Sequence, residues 1–253
     1  MAKFESLVYS VTGSTATIRL NRPEVRNAFT TELYAELRDA VRLSERDPQV
    51  RCVVVTGTGG SFAAGGDLKE MLGYLDPADD EDRLGVYRFE DSLPFMTMRS
   101  SAKPIIAAVN GICVGGGCTT IASCDIVIAA ESARFGIPEA RVGLVDAYLP
   151  AFLYGQVSLP VLKYLCYTGK LIDARHAERI GLITEVVPDD QLDARVTEVA
   201  AELAATGDEA KAQYKLMFSR MVPETSMRDV YPLMFSADVR EKLIAFGRSA
   251  RDR

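Results

Sequence analysis

Residues 105–118, Ile105-Ile106-Ala107-Ala108-Val109-Asn110-Gly111-Ile112-Cys113-Val114-Gly115-Gly116-Gly117-Cys118, run an apolar strand into a glycine-rich loop that opens onto a helix from about Gly116. The same order occurs earlier: Cys52 to Thr56 reads as a strand, residues 57–67 (Gly57-Thr58-Gly59-Gly60-Ser61-Phe62-Ala63-Ala64-Gly65-Gly66-Asp67) as the loop, and a helix follows from about Asp67. A helix start presents N–H groups without intrahelical partners, so either loop can hold an anion or an oxyanion on backbone donors. The consecutive glycines 115–117 let a ligand approach the main chain closely. The dipole of the helix behind them would polarise a carbonyl at its amino end. Taken singly, each loop is also readable as a tight turn. A dinucleotide fingerprint fits poorly, because Phe62 stands where its third glycine would fall and no well-placed ribose acid follows.

Working outward, Leu7 to Val11 and Ala16 to Leu20 flank the turn Thr12-Gly13-Ser14 as a hairpin, and a helix from Asn27 carries Leu33, Leu37 and Val41 on one face. Asp125 to Ala129 and Ala133 to Ile137 read as further strands, so residues 1–190 form repeated strand–helix units of the α/β class with no linker. From Gln191 the pattern is helical (196–203, 210–221 and 227–246); these helices have no strands of their own, and a partner subunit is one surface on which they can pack. The net charge of −6 argues against a nucleic-acid partner. No stretch approaches the roughly 18 apolar residues of a membrane span. The amino terminus lacks a cleavable apolar pattern, which gives the expectation of a cytoplasmic protein. Five cysteines without paired spacing read as buried thiols, the acidic residues 76–82 as a solvated segment, and the lone His176 as a surface-helix residue; no metal site is expected.

The ordered motifs Ile18-Arg19-Leu20-Asn21-Arg22-Pro23, Asn27-Ala28-Phe29, Ser61 through Gly65-Gly66-Asp67-Leu68 to Met71, Lys103-Pro104 through Asn110-Gly111 to Gly115-Gly116-Gly117-Cys118, Phe135-Gly136 with Pro138-Glu139, and Val142-Gly143-Leu144 span nearly the whole chain. Together they resemble the enoyl-CoA hydratase/isomerase, or crotonase, superfamily. The resemblance implies a spiral of ββα units over 1–190 carrying the coenzyme A and active sites, a helical trimerisation region over 191–253, and a homotrimer or dimer of trimers. It also implies an acyl-CoA substrate, with coenzyme A as its carrier part and no further cofactor. The oxyanion hole would fall on the N–H groups of Gly66 and Gly116, and the Ala64 carbonyl would face the adenine. Arg26 would meet the phosphates, joined by Arg248, Arg251 and Arg253 if these are more than a solvated terminus. Ala28, Asp67 and Leu68 complete the coenzyme A contacts.

Hydratases of this kind use two carboxylates on one water. The second is present as Glu139, whose pKa should rise if it is buried beside an acyl chain. At the first position stands Thr119, whose hydroxyl orients a water but is no base near neutral pH. A lone carboxylate favours double-bond isomerisation over hydration. Asp146 is read in two ways: as a cap for the helix through Phe152, or, with Tyr148, as part of ketoacyl-CoA ring closure or ring-opening hydrolysis similar to the dihydroxynaphthoyl-CoA synthases. The missing first carboxylate also leaves open a catalytically silent CoA-binding subunit.

Overall fold

The computed structural model describes residues 4–74, 89–227, 230, 233 and 236–251. The acidic residues 76–82 and the side chains of Arg248, Arg251 and Arg253 lie outside the described residues. The chain opens with β1 (Leu7–Thr12), β2 (Thr15–Leu20) and α1 (Thr31–Arg46). It continues with β3 (Cys52–Gly57), β4 (Ser61–Ala63) and α2 (Leu68–Tyr74), then α3 (Phe95–Ser100), β5 (Ile105–Val109), β6 (Ile112–Val114) and α4 (Gly116–Ala122). Next come β7 (Ile126–Ala130), β8 (Arg134–Gly136), a 3-10 turn Glu139–Val142, α5 (Leu149–Phe152) and α6 (Leu159–Thr168). Last are β9 (Ile172–Asp173), α7 (Ala174–Arg179), β10 (Glu185–Val187), α8 (Leu192–Ala205), α9 (Asp208–Ser219) and α10 (Ala237–Arg251).

The first unit gives both β1 and β2 to one sheet, and the units β3–β4, β5–β6 and β7–β8 each give their long strand to that sheet and their short strand to a second. The first sheet has the order β1-β2-β3-β5-β7-β10, the second β4-β6-β8-β9. This is the spiral of ββα units. The pairings β2–β3, β3–β5 and β5–β7 are parallel, and β3 and β5 are buried along their whole length. A parallel sheet covered on both faces reads as an unbroken apolar run rather than an alternation. Side chains nevertheless alternate: Val53, Val55, Ile105 and Ala107 enter the main core with α1, while Cys52, Val54, Ile106 and Ala108 meet Leu192, Val196 and Val199 of α8. The C-terminal helices were expected to lack a sheet; the first of them instead forms its outer layer.

Helix α1 starts at Thr31, not Asn27, because Arg26 and Asn27 hold left-handed backbone angles (φ 53° and 56°) and Thr30 caps the helix, accepting from Leu33 N at 3.1 Å. Asn27 is fully buried: its side chain donates to the Thr58 and Ser61 carbonyls (3.0 and 2.9 Å) and accepts from Arg22 N (2.9 Å). It ties the segment before α1 to the first glycine loop.

Among the described residues no helix is long and apolar enough to cross a membrane.

Candidate active site

The short sheet brings the glycine loops together. Strands β4 and β6 pair in parallel, Ser61 opposite Ile112 and Ala63 opposite Cys113, so the loops leaving them emerge side by side. Gly65 (φ 90°) and Gly115 (φ 55°) touch: a Cβ built on Gly115 would lie 3.4 Å from Gly65 Cα and 2.8 Å from Glu139 Oε1. Both the angle and the crowding require glycine at 115. The next residues, Gly66 and Gly116, line one cavity of about 140 Å³ together with Glu139 and Asp146. Its walls are mostly apolar and aromatic, including Phe29, Phe89, Phe95, Leu144, Met227 and Leu243.

Glu139 opens the 3-10 turn behind Pro138, and its carbonyl accepts from Leu144 N at 2.9 Å. Its Oε2 is out of solvent and has no hydrogen-bond partner among the described residues. An ionised oxygen there is unsolvated and unpaired, so burial first and the neighbouring Asp146 second push this carboxyl from 4.5 up to about 8. Burial also raises Asp146, but the hydrogen bonds it accepts oppose that rise.

The capping reading of Asp146 holds, and the same side chain makes a second contact that the sequence did not suggest. Oδ1 accepts from the N–H groups of Tyr148 and Leu149, each at 2.9 Å, bracing the entry to α5. Oδ2 accepts from the Thr119 hydroxyl. Thr119, fully buried on α4, therefore spends its hydroxyl on Asp146 and is absent from the cavity wall. The Tyr148 hydroxyl donates to Glu90 Oε1 at 3.1 Å, an oxygen that also accepts from Ser226 Oγ and Met227 N.

The residues expected to meet coenzyme A fall into two groups. Arg26 is exposed, and its carbonyl accepts from Ala64 N at 3.0 Å, so Arg26 and Ala64 are adjacent. Ala28 is buried, its carbonyl accepting from Arg22 Nη1 at 2.6 Å. Asp67 lines the cavity, but its carboxylate pairs with Arg22 (3.0 Å) and accepts from Lys69 N and Glu70 N at the start of α2. Leu68 packs beside Leu144, Val239 and Leu243. Sequence reasoning missed Tyr34, Glu70 and Arg22. Glu70 lines the cavity and accepts from Thr31 N at 2.9 Å. For Tyr34 a signal existed: a polar-tipped aromatic on the stripe that holds Leu37 and Val41.

The enoyl-CoA hydratase/isomerase family model matches residues 10–244. A probable enoyl-CoA hydratase of Rhizobium meliloti is 36% identical over 80% of this chain and 76% of its own. A crotonyl-CoA hydratase of Syntrophomonas wolfei is 35% identical over 81% and 77% respectively. The crystal structure of an enoyl-CoA hydratase/isomerase from Mycobacterium paratuberculosis superposes with a TM-score of 0.85, at 27% identity, over 96% of this chain and all of that one. The fold is the crotonase fold, and the site sits where its glycine loops meet. The chain belongs to the enoyl-CoA hydratase/isomerase family and is an acyl-CoA-processing enzyme.

Proposed function

We propose that the protein adds water across the double bond of a 2-enoyl-CoA thioester, with the N–H groups of Gly66 and Gly116 holding the thioester oxygen. The observation that carries this reading is the hydrogen bond from Thr119 to Asp146. The Asp146 carboxyl lies one hydrogen-bond length beyond the Thr119 hydroxyl, about where a longer acidic side chain at 119 would end. A lone carboxylate would favour isomerisation, but two carboxyl groups, those of Glu139 and Asp146, line the cavity. The two also divide the work. Asp146, accepting from Thr119, Tyr148 and Leu149, is the better stabilised anion and the base that takes a proton from water. Glu139, held protonated to about pH 8, is the acid. The water oxygen bonds to the β carbon as the carbon–carbon π pair moves toward the thioester. The α carbon then collects the Glu139 proton, and Gly66 and Gly116 stabilise the enolate-like charge between these steps.

Relatives named as hydratases support the same reaction. For ketoacyl-CoA chemistry Tyr148 would have to release Glu90. A silent CoA-binding subunit would leave an unpaired buried carboxyl oxygen without use. We further propose a cytoplasmic homotrimer or dimer of trimers, supported by the exposed apolar side chains of Tyr214, Met217, Phe218 and Met221 on and just beyond α9. The test is product analysis with crotonyl-CoA and a 3-enoyl-CoA. The 3-hydroxyacyl thioester should form from the former, and Glu139→Gln should reduce its rate by about 10²-fold or more. Conversion of the 3-enoyl substrate alone would replace hydration with the double-bond shift.

A further inference from the structure

Tyr34 lies in α1, away from both glycine loops in sequence, yet its side chain ends in the same cavity. A Cβ built on Gly116 would fall 2.0 Å from Tyr34 Oη and 3.3 Å from Cζ, so the hydroxyl itself occupies the space beside this glycine. In the first turn of a helix the N–H and the Cα–Cβ direction both tilt toward the amino end. Tyr34 Oη therefore flanks the space that the Gly116 N–H faces. Among the described residues this hydroxyl makes no hydrogen bond.

The ring is fixed. Tyr34 stacks on Phe29 with centroids 4.3 Å apart and planes 4° apart, and meets Phe89 and Phe95 edge-on at 5.7 and 5.6 Å. Burial, followed by the charges of Asp146, Glu139 and Glu70, raises the phenol well above its ordinary range, so it remains a donor wherever the enzyme works. A donor without a protein partner among the described residues, held rigidly at the edge of the cavity, is poised for a partner that arrives with the substrate.

We infer that Tyr34 is a catalytic residue: its hydroxyl donates to the thioester oxygen as a third donor beside the Gly66 and Gly116 amides. The inference rests on the reading that these amides hold that oxygen. Unlike the amides, this donor can be removed by a single side-chain change, since Tyr34→Phe keeps the ring, its stack and the helix.

Two measurements on Tyr34→Phe test it. With crotonyl-CoA, kcat should fall about tenfold to a hundredfold while KM changes less than about threefold, the signature of a donor used mainly in the transition state. Infrared difference spectra of bound butyryl-CoA carrying ¹³C at the carbonyl should show the band nearer its free position in the variant than in wild type. The second readout needs no turnover, so it stands if hydration proves to be the wrong reaction. An unshifted band overturns the inference. So does a kcat within twofold of wild type, or a loss confined to KM, with wild type turning over.

Discussion

Glu139 has one carboxyl oxygen without solvent or a hydrogen-bond partner among the described residues, while Asp146 accepts three hydrogen bonds a short distance away. On the proposed mechanism, that asymmetry rather than residue type makes Glu139 the acid and Asp146 the base. If Glu139 must be protonated and Asp146 ionised, kcat/KM should fall as pH rises through about 8, and fall again on the acid side as Asp146 takes up a proton. Initial-rate profiles of the free enzyme check this, and a profile flat to pH 9.5 would contradict it. Stability carries the same sign. A carboxyl whose folded pKa exceeds its unfolded one favours folding fully only below the unfolded value, and that contribution is lost as pH rises through the folded pKa. Wild type should therefore lose stability relative to Glu139→Gln between about pH 4.5 and 8, by about 1 kcal/mol or more at the upper end; melts at both pH values read it.

Asn27 shows how an element is set by its neighbours. Left-handed backbone angles at Arg26 and Asn27 stop the helix from starting there, and the buried amide then fixes the loop carrying Thr58 and Ser61. Asn27→Ala should cost about 2–4 kcal/mol in urea unfolding, because it strands buried carbonyls, and should weaken turnover by loosening the path to Gly66. A loss below about 0.5 kcal/mol would show that water replaces the amide. The strands and both glycine loops were legible because apolar runs and glycine clusters are local signals. The capping role of Asp146 was legible as well, from its place just before α5, whereas Glu139 was singled out through the family resemblance. The bond between Asp146 and Thr119 was not legible, since the residues are 27 positions apart and meet only through the fold. Tyr34 did carry a signal, as a polar-tipped aromatic on the buried stripe of α1, but the cavity it lines is assembled only by the fold. The layer of α8 on the sheet was readable in principle from the unbroken apolar run of β3, which implies cover on both faces.

Across the whole molecule, the site draws on the spiral and on the C-terminal region alike, since Met227 and Leu243 line the cavity with Gly66 and Gly116. The boundary near 190 therefore does not isolate the site in one part of the chain. The exposed apolar side chains on α9 argue for burial between copies. Light scattering should give three or six times the chain mass, and Phe218→Glu should shift it downward; a monomer in wild type would contradict the assembly. The most direct test of the account is the rate at which Asp146→Asn hydrates crotonyl-CoA. A fall of about 10²-fold or more with binding retained is expected if Asp146 stands in for the carboxylate that position 119 lacks. A rate within twofold of wild type would contradict it.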